Sequence, residues 1–542
     1  MLFYSYLFVL CFLPCCLLCN YAFRKLRQPR LAIWSLIAFS LLYYGWWNPS
    51  FLWILTGSIV VNYLLSRALF AVRDVQPKLA RSILIAGVIG NLAVLARYKY
   101  WCLLDGPLAC RSVALPLAIS FFTFQQIEFL LDTANGKVGA QKFSTYSLFV
   151  TFFPHLIAGP ITRHSELMPQ FERPSHSGAA NFSIGVTIFV IGLCKKVFLA
   201  DRLAILAAPS FLSAANGDHV SFALAWLGAA SFTLQLYFDF SGYSDMAIGI
   251  SRMLGIKLPL NFNSPFKAVN IVDFWQRWHL TLTRYVNAHL YNPIVANLAR
   301  RSTGKPDSFR NVMIVMAAPT AIIMTIVGIW HGAGAQFAVF GLMHGVLLAG
   351  YQTFRWGTRH WPTLETVRRY LPRWLCVAAT FGLVVISFVF FKASSIGAAL
   401  SILTGMSGVV WTPIISDNID HLDWLTRLTL TLGREDLRNF VVQLQHGYWE
   451  LLIVPTSLMI IWFAPNTQQI LATYLNDGAE LSRAENRPPV QYSIQPLKGR
   501  LWSLGLTSWR PSVTMAILTV FLLILALQKA NYYGTAFLYF RF

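Results

Sequence analysis

The sequence predicts an all-α polytopic membrane protein, and three observations carry that reading. Of the 542 residues, 56% are hydrophobic and only 12% are charged, whereas a soluble chain carries about 25% charged residues. Mean hydropathy is +0.54. Apolar runs recur near 2–22, 31–48, 51–70, 82–96, 113–131, 144–160, 183–200, 221–238, 312–330, 335–351, 376–392, 451–464 and 512–528, and most are long enough to cross about 30 Å of hydrocarbon. They amount to roughly 11 to 13 membrane segments, some of them short, tilted or re-entrant. No Ser/Gly-rich linker or internal repeat divides the chain, so residues 1–542 read as one membrane domain.

The first run resembles a signal peptide in length. It lacks a basic n-region and a small-residue cleavage pattern, so it reads as an uncleaved first helix. Cys11, Cys15, Cys16 and Cys19 lie on it as helix-packing residues, and Pro14 sits where a lipoprotein signal needs a small residue. The other four cysteines are scattered and no zinc-type spacing occurs, so no metal site is expected.

Lys and Arg exceed Asp and Glu by 21, and position decides what that surplus means. Basic residues cluster in short loops: Arg24, Lys25, Arg27 and Arg30; Arg67, Arg73, Lys78 and Arg81; Arg300, Arg301, Lys305 and Arg310. Two further sets are Arg355, Arg359, Arg368, Arg369 and Arg373, and Arg483, Arg487, Lys498, Arg500 and Arg510. The positive-inside bias assigns these loops to the cytoplasm. The stretch 414–450 carries Asp417, Asp420, Asp423, Glu435, Asp436 and Glu450 and is placed outside. Both termini are then external. A surplus distributed this way suits membrane lipid, and no nucleic-acid partner is expected.

From 255 to 311 the sequence mixes aromatics with Asn, Arg, His and Pro. It is too polar for lipid and too aromatic for a free loop, and such backbone is tolerated at membrane depth only inside protein or along a water-filled cavity. At helical spacing, Val272–Pro293 puts Trp275, Trp278 or His279, Leu282, Tyr285 or Val286, and His289 on one broad face. His279 and Thr283 are then neighbours, while Arg277 and Arg284 point elsewhere, toward an anion, a headgroup or an internal carboxylate. An interfacial helix with an aromatic belt is the plain alternative.

A second motif, Trp330-His331-Gly332-Ala333-Gly334-Ala335, lies between two apolar runs and is followed by Phe340-Gly341-Leu342-Met343-His344-Gly345. Basic loops flank the pair of runs, so the turn points away from the cytoplasm; if the runs are re-entrant, His331 lies near the midplane. A titratable ring at membrane depth marks a functional site by default, because it is costly unless paired or hydrated. Imidazole can take a proton from a hydroxyl or thiol and return it to a leaving group near neutral pH. No G-x-S-x-G elbow, H-E-x-x-H helix or Walker loop is present, which leaves serine hydrolase, zinc protease and nucleotide-driven pump without support. Histidine-assisted group transfer remains.

Other polar positions complete the candidate set. Asp239 and Asp245 lie in an aromatic-rich stretch from Tyr237. They can orient a histidine, pair with Arg252 or Arg277, or hydrogen-bond a hydroxyl substrate; a structural ion pair is the favoured reading. Gln235, Tyr237, Asn263, Trp275, Arg277, Trp278 and Trp330 are candidates for the substrate path. Phe152–Pro160, broken by Pro154 and Gly159, reads as a cavity wall carrying His155 as a secondary catalytic candidate.

Taken in order, these motifs resemble the membrane-bound O-acyltransferase (MBOAT) family, in particular its bacterial alginate O-acetylation branch. The resemblance runs through Tyr44–Pro49, Ile119–Gln125, Phe152–Pro160, Lys195-Lys196-Val197 with Ala200-Asp201, Tyr237–Met246, Asn261–Phe266, Phe274–His279 and Trp330–Ala333. It implies a curved helical bundle around a central tunnel, with re-entrant and interfacial helices, that transfers an acyl group, here acetyl, onto a hydroxyl. It also implies that His331 is the catalytic base and that His279 is the second functional position. Cytoplasmic acetyl-CoA would be the donor, with no tightly bound cofactor. An SGNH-hydrolase-like periplasmic partner would complete transfer to an extracytoplasmic polysaccharide such as alginate, cellulose or peptidoglycan, with the protein in the bacterial inner membrane. The chain departs from its relatives after Arg277-Trp278-His279: the usual Arg-Asp pair is Asn287-Ala288 and His289 is new. A transporter or flippase, which predicts inverted-repeat halves, and an MBOAT acylating a lipid or protein are the competing readings.

Overall fold

The computed structural model describes residues 1–101, 116–173, 178–302, 305, 307–408, 452–472, 512–533 and 537–538. The acidic stretch 414–450 and most of the basic 465–510 loop lie outside the described residues. Every regular element among the described residues is a helix. Eight are long and apolar enough to cross a membrane: Phe8–Lys25, Pro49–Val72, Pro77–Lys99, Ala179–Ala215, Phe309–His331, Ala335–His360, Arg373–Lys392 and Val513–Ala530. Ile396–Ser407 and Ile453–Phe463 are shorter apolar helices. The chain is a multi-pass all-α membrane protein.

The described chain falls into two compact units. The first comprises Met1–Cys194, Phe240–Asn261 and Pro465–Tyr532. Its helices Pro29–Gly45 and Pro77–Lys99 begin on proline, where the missing N–H costs nothing and φ is already helical. Large apolar side chains such as Leu18, Trp53, Leu64 and Ile89 are exposed, whereas Asn62 and Asn91 are buried. The two asparagines exchange amide hydrogen bonds of 3.2 and 2.7 Å between helices, the pairing by which polar residues hold helices together in lipid. The expected 144–160 run is broken: Phe143–Thr151 ends at Phe152, and a single turn, Phe153–Leu156, follows.

The second unit comprises Lys195–Asp239, Phe262–Ala464 and Tyr533–Phe542. Its centre is the antiparallel pair Ala318–His331 and Ala335–His360, joined through Gly332–Gly334. A Cβ on Gly328 would lie 2.7 Å from the Cα of Gly341, and one on Gly341 would lie 2.9 Å from the Cα of Gly328. Only hydrogen fits at that crossing, as small residues at membrane helix interfaces permit. The spans Phe309–His331 and Ala335–His360 contain 23 and 26 residues, and at about 1.5 Å per residue each exceeds the hydrocarbon thickness.

Candidate functional site

The sharpest departure from the expected pattern lies at 271–291. One continuous helix from Val272 to Pro293 does not form. Ile271–Trp275 is a helix of 5 residues, Leu280–Val286 is a second helix, and Asn287–Tyr291 is a π-helical turn leading into Asn292–Arg301. The first piece is started by Asn270, whose side chain accepts the Asp273 N–H at 2.8 Å. Asp273 in turn accepts the N–H of Val269, the residue before the cap, at 3.1 Å and ties the entering chain to the first turn. Arg277 donates to Asp273 at 2.6 Å, which selects the internal carboxylate among its expected partners. The Asn263 N–H donates to the Arg277 carbonyl at 2.9 Å and pins the turn to the preceding strand of chain.

His279 then takes φ 44° and ψ 52°. Left-handed backbone is uncommon for a residue other than Gly, although His, like Asn and Asp, enters it more often than most; it costs of order 1–3 kcal/mol, strain that clusters at functional sites. The helix restarts at once, with the Thr283 N–H donating to the His279 carbonyl at 3.1 Å. The reversal places Trp275, Trp278, His279 and Leu282 around one buried pocket.

The opposite wall of that pocket comes from the hairpin. His331, the last residue of Ala318–His331, and Phe340 line it, and Phe388 and Phe391 of Arg373–Lys392 close it, with Leu236 contributed by the 222–253 helix. His331 is only 6% exposed. Its ring meets Phe391 edge-on at 5.2 Å and Trp330 at 4.8 Å. Two imidazoles, both expected from sequence, thus share a space of about 10 Å³, enough for one water-sized group.

One residue of the site went unassigned in the sequence. The Trp275 indole donates to His344 Nδ1 at 3.3 Å, and His344 Nε2 lies 2.9 Å from Ser387 Oγ, whose hydroxyl donates to the Val384 carbonyl at 2.8 Å. An indole N–H can only donate, so Nδ1 is the acceptor and the proton resides on Nε2. His344 is fully buried. Its signal was its place in Gly341-Leu342-Met343-His344-Gly345, one helix length beyond His331, but nothing local pointed to Trp275 as its partner.

The remaining candidates separate cleanly. Tyr237 packs on Phe262, Phe266 and Trp278, with ring centroids 5.9, 5.2 and 6.4 Å away, and supports the pocket from behind. Trp330 is buried beside His331, and Gln235 is buried next to Leu236. Asp239 is in an ion pair, as favoured, but its partner is Lys196 and not Arg252 or Arg277. Lys196 Nζ lies 2.8 Å from both Asp201 and Asp239, and the Leu538 N–H donates to Asp239 at 2.8 Å. Sequence reasoning quoted Lys196 and Asp201 without giving them a role. Asp245 and His155 belong to the first unit. Asp245 accepts from Thr467 at 2.6 Å and from Gln468 at 3.4 Å, and His155 is buried against Phe152, ring centroids 5.7 Å apart. His289, new relative to the expected motif, packs at a tilt against Tyr285, ring centroids 4.8 Å apart.

A multi-pass membrane protein with two imidazoles in one narrow, aromatic-walled pocket has the equipment of a membrane enzyme that moves a proton during group transfer. Comparison with known proteins specifies the class. Residues 41–391 match the model of the membrane-bound O-acyltransferase family, and the chain belongs to that family; it is an O-acyltransferase. It is 38% identical to a peptidoglycan O-acetyltransferase of Helicobacter pylori over 76% of this chain and 80% of the relative. It is 31% identical to a probable alginate O-acetylase of Pseudomonas aeruginosa over the whole of both chains. A teichoic acid D-alanyltransferase of Bacillus subtilis is 27% identical over 51% of this chain and 68% of the relative.

Proposed function

We propose that this protein is the membrane O-acetyltransferase subunit of a polysaccharide-modifying system in the bacterial inner membrane, with both termini periplasmic. Acetyl is taken from a cytoplasmic thioester, acetyl-CoA, and passed across the membrane to hydroxyls of an extracytoplasmic polysaccharide, with an SGNH-hydrolase-like periplasmic partner completing delivery. The observation that carries this reading is the convergence of His279 and His331 on one buried pocket inside the family-matched segment. The named activities of the relatives, acetylation of peptidoglycan and alginate, support the choice of acetyl and of a polysaccharide. Arginines in the loops assigned to the cytoplasm suit the phosphates of coenzyme A.

The chemistry follows from the two rings. A hydroxyl oxygen attacks the thioester carbonyl while the neutral imidazole of His331 takes its proton. Collapse of the tetrahedral intermediate forms the ester C–O bond, breaks the C–S bond and returns that proton to the departing thiolate. The products are one acetyl ester and one free thiol. His279 holds the carbonyl or the acceptor in line, and the aromatic walls keep out the water that would hydrolyse the thioester. Incubating purified protein with labelled acetyl-CoA tests the reading. His-dependent thioester cleavage and acetyl transfer are expected; a flippase would show neither.

A further inference from the structure

We propose that His344 is a positioning residue for the transfer step: through Trp275 it fixes the reversal that carries His279 to the hairpin that carries His331. The inference rests on the acyl-transfer reading of the His279/His331 pocket and adds a third histidine, one that does not line that pocket. His279 and His331 arrive on separate segments, so their alignment depends on what joins the two. Trp275 supplies the joint. Its carbonyl accepts from the Thr283 hydroxyl at 3.3 Å, and the Thr283 N–H donates to the His279 carbonyl at 3.1 Å, so the two sides of the reversal are tied into one piece. Its indole N–H reaches across to His344 on Ala335–His360, the second helix of the hairpin.

The far side of the joint is fixed as well. With Nδ1 accepting, the Nε2 proton is directed at Ser387 Oγ, 2.9 Å away, and the Ser387 hydroxyl is taken up by the Val384 carbonyl. Indole, imidazole, hydroxyl and carbonyl form a one-way chain in which each hydrogen has its acceptor. Rings box the imidazole: Phe274 lies nearly parallel, 14° off and 6.3 Å away, Trp275 and Phe340 meet it edge-on at 5.3 and 4.7 Å, and Phe388 lies 6.3 Å away. Trp275, Phe340 and Phe388 are also walls of the pocket. Aromatic contact alone lets a ring slide, whereas a hydrogen bond favours a nearly linear angle and sets its rotation. Without the acceptor, a buried indole N–H is left unpaired, which favours turning the ring toward another partner. Room to turn exists, because Trp275 and Leu282 also line an adjoining cavity of about 190 Å³. His344 is therefore required for alignment more than for bulk.

The test ranks two replacements of His344 by activity and by stability, in the purified full-length protein with acetyl-CoA as donor. His344→Phe keeps a buried ring without an acceptor; His344→Asn is smaller but places an amide oxygen near the former Nδ1. A role in packing alone makes Phe the better replacement on both scales. Positioning predicts a crossing: Asn lowers the unfolding temperature more, while Phe lowers kcat for transfer more, by about 10- to 100-fold, the scale on which a misplacement of up to ~1 Å acts. Transfer that follows the melting order overturns the proposal. A double-mutant cycle forms the second arm. With Trp275→Phe in place no indole donor remains, and His344→Phe is expected to lower kcat by less than about twofold further. A full additional loss in that background overturns the path through Trp275. Where His344→Phe fails to accumulate, Ser387→Ala enters the same cycle, with an expected loss of about threefold alone and none after Trp275→Phe. His331→Ala separates the two claims. Normal transfer by that variant sinks the reading of the pocket, whatever residue 344 does; an inactive His331→Ala beside the packing result in both arms sinks only the role of His344.

Discussion

The two segments that bring histidines to the pocket are built in opposite ways. The hairpin is regular: two long helices crossing at Gly328 and Gly341 deliver His331 at a helix end, in ordinary backbone. The segment 262–286 is irregular: a capped five-residue helix, a hydrogen-bonded turn and a left-handed residue deliver His279. The hairpin is held by close packing and the broken segment by named polar contacts, Asn270 with Asp273, Asp273 with Arg277, and Asn263 with Arg277. Packing over a long interface is tolerant at most positions and intolerant at the crossing. A chain of single hydrogen bonds spends its stability on one geometry. The comparison implies that one histidine is placed by the scaffold, and that the other must be held against the preference of its own backbone.

The largest effect tests the hairpin histidine. His331→Ala should lower acetyl transfer by about 10²–10⁴-fold, the usual contribution of a positioned general base, while membrane accumulation and thermal unfolding in detergent stay near those of the native protein. Normal transfer by this variant would remove the hairpin from the chemistry altogether.

Substitutions at His279 separate ring from backbone. His279→Asn keeps a residue that visits left-handed conformations readily but lacks the imidazole; it should fold normally and lose transfer by about 10²-fold. His279→Val combines both losses and should also unfold at lower temperature, because a β-branched residue tolerates positive φ poorly. Equal melting of the two variants would refute the claim that the backbone at 279 is strained. In the hairpin, Gly341→Leu forces a side chain into the helix crossing and should cost about 1–3 kcal/mol of stability, read as a lower unfolding temperature; a neutral result would show the two helices free to separate. The smallest effect belongs to the cap. Asn270→Ala should cost about 1 kcal/mol and lower transfer more than it lowers stability, since the turn it starts aims His279; a loss of stability with unchanged transfer would show that this aim is set elsewhere.

Much of the architecture was legible in the residues. Hydropathy located the spans, and Trp330-His331-Gly332 between two apolar runs identified a helix end with a tight turn, which is what Gly332–Gly334 forms. The polar and aromatic mixture after 255 announced irregular backbone, and both pocket histidines were singled out from residue type and context. The helical reading of Val272–Pro293 failed because periodicity counts only which faces are apolar. A reversal at His279 leaves the apolar spacing on each side intact. The partner of Asp239 was missed for a related reason: Lys196 stands forty-three positions earlier on a different helix, and no local pattern joins them.

By itself, then, the sequence determined membrane residence, helical class and the kinds of side chain available for proton transfer, because these depend on composition and on spacing along one helix. Tertiary structure alone decided that His279 reverses the chain, that Trp275 leans on His344 and Ser387, and that a narrow pocket and a wider cavity share one wall. Each of these arrangements joins residues remote in sequence or holds a residue in a conformation its own preference disfavours. Packing and hydrogen bonds from surrounding segments supply the free energy for that.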